Sequence, residues 1–82
     1  MRTYQVSIRQ AIIKKTNYCG SNVVIRTYNS VTKVWFYNNL IGEVSHKNKT
    51  FKCDNCGFNN ACTTARINAI KDACYSLGYR MV

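Results

Sequence analysis

Thr63-Thr64-Ala65-Arg66-Ile67-Asn68-Ala69-Ile70-Lys71-Asp72-Ala73-Cys74-Tyr75-Ser76-Leu77-Gly78 lies near the end of an 82-residue chain and decides its fold class. Ile67, Ile70, Cys74 and Leu77 recur on one helical face. Thr63 or Thr64 is the expected cap, because a hydroxyl accepts from the free N–H groups of a first turn. Leu77-Gly78 is the expected stop, since glycine adopts the left-handed geometry that ends helices. A helix with one apolar stripe needs a surface to bury it on, and the residues before it supply a sheet.

Residues 22–28 read as a strand by their β-branched content and alternation. Val23, Ile25 and Thr27 point one way, and Val24, Arg26 and Tyr28 the other. Asn29-Ser30 turns the chain. Residues 31–37 form the next strand, with Val34 and Phe36 opposed to Lys33, Trp35 and Tyr37. Residues 40–44 continue it past a bulge or pair back on it, and residues 49–53 add a strand with Phe51 and Cys53 opposed to Lys52. Asn17, Asn22, Asn29, Asn38, Asn39, Asn48, Asn55, Asn59 and Asn60 mark the boundaries, because asparagine tolerates turn geometry. Near the N-terminus, Tyr4, Val6 and Ile8 alternate like a strand, whereas Ile8, Ala11, Ile12 and Lys15 share a helical face. We read residues 6–15 as a helix. The expected fold is α+β: one small antiparallel sheet of three or four strands, packed by a C-terminal helix and accompanied by an N-terminal one.

A chain of this length forms one domain with a thin core. Twelve Lys and Arg against three acids (Glu43, Asp54 and Asp72) give a formal charge of +9. Such an imbalance draws polyanions and exceeds what solubility alone requires. No window approaches the apolar length of a membrane span, and no signal-peptide core follows Met1, so no membrane partner is expected. Five cysteines, an odd number, favour reduced thiols over a disulfide framework.

The strand face opposite the expected core carries the first candidate site: Arg26, Tyr28, Lys33, Trp35, Tyr37 and Lys52. Cations interleaved with rings suit nucleic acid, the charges meeting phosphates and the rings stacking on bases. The alternative fate of Trp35, Tyr28 and Tyr37 is cover by the N-terminal helix or by a second copy. A second candidate is the start of the last helix, where Thr63, Thr64 and Arg66 surround free N–H groups at the positive dipole end. Its alternative is an arginine lying along the surface, or one paired with Asp54 or Glu43.

Cys53-Asp54-Asn55-Cys56 has metal-ligand spacing, but its partners Cys62 and His46 are singletons, so no metal site is expected. Cys74 falls on the apolar stripe and reads as a small core residue. His46, between Ser45 and Lys47, reads as a solvated loop side chain. One histidine, three separated carboxylates and no glycine-rich phosphate loop leave no catalytic set and no cofactor cradle, so the expectation is a non-enzymatic binding domain.

Val34-Trp35-Phe36-Tyr37-Asn38-Asn39-Leu40-Ile41-Gly42, then Gly57-Phe58, then Thr63 and Arg66-Ile67-Asn68-Ala69-Ile70, resembles a pattern in small proteins of tailed bacteriophages. In that family a strand ends in a Gly-Asn-x-Ile-Ala-like turn, and a Gly-Trp and a run of threonines precede Arg-Ile/Leu-Asn-Ala-Ile/Leu. Here Asn38 replaces a glycine, Phe58 the tryptophan, and Asn60 and Cys62 threonines. The resemblance implies phage origin and the host bacterial cytoplasm as the setting, and it implies no mechanism. The order of strands then helix is also similar to double-stranded-RNA-binding and AP2-like DNA-binding domains, a likeness that does not fix function. The leading expectation is a phage nucleic-acid-binding protein. The alternative partner is a host bacterial protein, bound by a takeover or anti-defence inhibitor, anti-CRISPR proteins included.

Overall fold

The computed structural model describes residues 3–20, 22–55, 57 and 60–82. Helix α1 (Thr3–Lys14) is followed by strands β1 (Tyr18–Gly20), β2 (Val23–Tyr28), β3 (Val31–Phe36), β4 (Asn39–Ser45) and β5 (Thr50–Cys53), helix α2 (Ala61–Ser76) and strand β6 (Arg80–Met81). All six strands form one sheet in chain order, antiparallel from β1 to β5 and parallel between β5 and β6. Close hairpin turns dictate the antiparallel part. The return to β6 crosses through α2, and a crossover of that kind brings the next strand in parallel. The α+β class is as expected. The sheet is larger than the three or four strands read from the sequence, because β1 and β6, at three and two residues, are too short to show a period.

Two hairpins rest on residues with positive φ at both central positions: Asn29 (51°) with Ser30 (65°), and Tyr37 (50°) with Asn38 (65°). This is the turn geometry whose twist matches that of the strands it joins. Tyr37 is therefore a turn residue, and β3 ends at Phe36, one residue short of the expected strand. Residues 40–44 pair back on β3, with a register shift between Val34 and Trp35.

Both helix ends close alike. At α1, Lys15 takes φ 57° and the Thr16 N–H reaches the Ala11 carbonyl at 3.0 Å. At α2, Gly78 takes φ 80° and the Tyr79 N–H reaches the Cys74 carbonyl at 2.9 Å. Each arrangement satisfies carbonyls that a helix end leaves open. At the start of α2 the cap is Asn60, whose side chain accepts from the Thr63 N–H at 2.9 Å, and not Thr63 or Thr64. The hydroxyl pair places the cap three to four residues too late, although asparagine is an equally good capping residue.

The core lies on one side of the sheet. Ile8, Ala11 and Ile12 of α1 and Ile67, Ile70, Ala73 and Cys74 of α2 close over Val23, Ile25, Val34, Phe36, Val44 and Phe51. Burying each large side chain contributes about 1.5–3 kcal/mol. Gly42 lets α2 approach: a Cβ there would stand 2.8 Å from Ile70 Cδ1. His46, expected in solvent, is 8% exposed. Its Nε2 is hydrogen-bonded to Thr32 Oγ1 at 2.7 Å and its Nδ1 to Tyr79 Oη at 2.9 Å. The alternation of β4 carries one residue further than its apolar content advertises, which turns the ring inward. Burial first, and the nearby Lys15 charge second, lower its pKa from 6.5.

Candidate nucleic-acid interface

Since both helices pack on the core side, the other face of the sheet is free of them. Cross-strand register orders that face in rows. One row runs Val24, Trp35, Leu40; the next Arg26, Lys33, Glu43, Lys52; the last Tyr28, Val31, Ser45, Thr50. Arg26, Tyr28, Lys33 and Lys52 are exposed and Trp35 is half-buried. Five of the six residues expected on this face are therefore gathered there. The N-terminal helix does not cover Trp35; it packs on α2 and the opposite face.

Arg26 stands directly opposite Lys33, a like-charged pair that disfavours the hairpin by a few tenths of a kcal/mol. On the other side Glu43 lies between two lysines, its carboxylate 3.9 Å from both Lys33 Nζ and Lys52 Nζ. The row keeps a net excess of two positive charges (Arg26, Lys33 and Lys52 against Glu43). Arg26, Tyr28, Lys33, Trp35 and Glu43 line a shallow concavity of about 460 Å³.

Glu43 was not among the candidates read from the sequence. The register shift in the β3–β4 pair displaces it from the position that simple counting along the hairpin gives. The opposed Arg26 and Lys33 were legible, because a two-residue turn at Asn29-Ser30 fixes that pairing.

The remaining candidates gather elsewhere. Tyr37, Thr63 and Arg66 line a second pocket of about 360 Å³ with Phe36, Asn60 and Cys62. Tyr37 Oη accepts from Asn22 Nδ2 at 2.9 Å. Because α2 starts at Ala61, Arg66 falls in its second turn and not its first. It is 8% exposed, donates from Nη1 to the Cys62 carbonyl at 3.0 Å and lays its guanidinium 4.2 Å from the centre of the Phe36 ring. A cation held flat on a ring keeps its charge while losing water. Thr63 is fully buried and Thr64 exposed. The Arg66 expected at a helix start is thus largely a core-packing residue.

Cys56, Phe58 and Asn59 lie outside the described residues. Cys19, Cys53, Cys62 and Cys74 are free thiols. Burial pushes the Cys53 thiol up to about 11 and that of Cys74, with Cys53 beside it, to about 12, so both stay protonated at neutral pH. Among the described residues no group of three or more His, Cys, Asp or Glu side chains is placed to hold a metal ion. No helix of the described residues is long and apolar enough to cross a membrane.

Fold and surface together define a small basic α+β domain with one helix-covered sheet face and one open cationic, aromatic face. The chain belongs to the Kyanoviridae Gp96 protein family, whose model matches residues 1–82, and is a cyanophage protein. No curated protein and no solved structure matches it.

Proposed function

We propose that this phage protein binds nucleic acid in the infected host cell, without catalysis, through the open face of its sheet. The observation that carries the reading is the row Arg26, Lys33 and Lys52 set beside Trp35 and Tyr28 on a face that neither helix covers. Phosphates would neutralise the row, releasing counterions, and the rings would stack on exposed bases. The opposed Arg26 and Lys33 add support, since a pair that weakens the hairpin is relieved by an anion lying between them.

Titration of the full chain with labelled single-stranded and duplex oligonucleotides at two salt concentrations tests the reading. Binding should weaken steeply with salt, with a slope of about 0.7 per single-strand phosphate or about 0.9 per duplex phosphate. Equal binding at low and high salt, or none, would overturn it. In that case capture of a host protein from nuclease-treated lysate, lost on reversing the charge of Lys33 and Lys52, would support the inhibitor reading instead.

A further inference from the structure

A carboxylate in the middle of a surface built for phosphate is an expense unless it has a task. Of the chain's three acids, Asp72 on α2 pairs with Arg9 on α1 at 3.2 Å, and Asp54 follows β5. Glu43 alone takes its place in the cationic row, a third exposed. Both lysines lie 3.9 Å away, close enough to hold the carboxylate by charge but beyond hydrogen-bond distance. Among the described residues no hydrogen bond consumes its acceptor sites. Its oxygens are still available, on the wall of the concavity that Trp35 also lines.

Trp35 and Glu43 line the same concavity, on either side of the β3–β4 register shift. A base stacked on the Trp35 ring therefore brings its edge toward Glu43. Resting on the reading of this face as a nucleic-acid surface, we propose that the concavity is a base-selective pocket for guanine in a single strand, with Trp35 as the stacking ring and Glu43 as the residue that reads the base. An ionised carboxylate offers acceptors only. Guanine presents two adjacent donors on its pairing edge, N1–H and N2–H, which two carboxylate oxygens accept together. Cytosine offers one donor beside an acceptor, adenine one donor beside an acceptor, and thymine one donor between two acceptors, each of which sets a lone pair against the carboxylate. The pairing edge is accessible only in an unpaired strand, so the same chemistry disfavours duplex.

The test uses the full chain and short oligothymidylates carrying one central guanine, cytosine, adenine or thymine. The wild type should prefer the guanine probe on the order of tenfold, the discrimination of one good two-bond contact. Glu43→Gln should abolish that preference while binding the other three as tightly or more tightly, because it removes a negative charge from the row. Equal wild-type affinity for all four probes overturns the inference and leaves the proposed function standing. So does a Glu43→Gln change that is the same for every probe, which would make Glu43 only a positioner of the lysines. Failure to bind any of these single strands at low salt overturns the inference, and if the duplex titration also shows no binding the proposed function falls with it. The wild-type comparison needs no variant, so a misfolded mutant would not spare the proposal.

Discussion

On the helix side of the sheet Val23, Ile25, Val34 and Phe51 are at most 1% exposed, whereas their immediate neighbours on the same strands, Arg26, Lys33 and Lys52, stand in solvent. The first set is chosen by packing: each side chain fills space against α1 or α2, and the close approach at Gly42 leaves little room for change. The second set is not what folding alone would choose. Arg26 faces Lys33 across the hairpin, and Glu43 tempers the repulsion. Stability and recognition are thereby carried by opposite faces of the same strands, and substitutions on each should report on one and spare the other.

The sharpest test exchanges one ring on each side. Phe51→Ala removes a fully buried ring that packs edge-on against Tyr75, with ring centres 5.3 Å apart. It should cost about 3–5 kcal/mol. That is much of the total for a domain whose stability is on the order of 0.05–0.15 kcal/mol per residue. Trp35→Ala on the open face should cost far less stability but about 1–3 kcal/mol of single-strand affinity. Urea denaturation and oligonucleotide titration of the two variants check the pair. A Trp35→Ala protein as unstable as Phe51→Ala would break the division between faces.

How much of this division the sequence reveals depends on the range of the interaction that decides each element. The stripe Ile67, Ile70, Cys74 and Leu77 and the alternations in β2 and β3 are local, so α2, both faces and the Asn29 turn are legible. The left-handed Tyr37 is not, because bulky residues rarely take that conformation and the strand alternation runs straight through it. Likewise Arg66 reads as an exposed cation until the Asn60 cap fixes the phase of α2 and turns it onto Phe36. His46 and Glu43 were misplaced or missed for one reason: the β3–β4 register shift and the late contact with Tyr79 are set by tertiary packing, which no local pattern records.

A smaller effect should appear on the covered side as a pH dependence. The His46 pKa lies below 6.5 in the folded state, by burial and then by the Lys15 charge, so the folded protein binds fewer protons than the unfolded chain in that range. Stability is therefore full above about pH 6.5 and falls as the pH drops from there toward the folded pKa, by at most about 1.4 kcal/mol per pH unit. Denaturation midpoints between pH 7.5 and 5.5 measure it. His46→Gln should flatten the slope in this window while lowering stability throughout, since the Thr32 and Tyr79 hydroxyls lose their shared partner. An unchanged slope would show that His46 is not the titrating group.

The smallest stability change belongs to the open face. Lys33 and Lys52 are 47% and 64% exposed and meet Glu43 only at 3.9 Å. Exposed pairs of this kind are worth about 0–1 kcal/mol, and removing Lys33 also relieves its repulsion with Arg26. Lys33→Gln with Lys52→Gln should therefore leave the urea midpoint within the change expected of ordinary surface substitutions, about 0.5 kcal/mol. Binding should respond quite differently. If each lysine neutralises one phosphate, the double variant lowers the slope of log affinity against log salt by about 1.4 for a single strand. A slope that stays at the wild-type value, in a protein that remains folded, would mean that phosphate is held elsewhere. The bound strand would then have to be sought along the cations of α1 and the β4–β5 turn, and the rows of the open sheet would lose their role in the charge contacts.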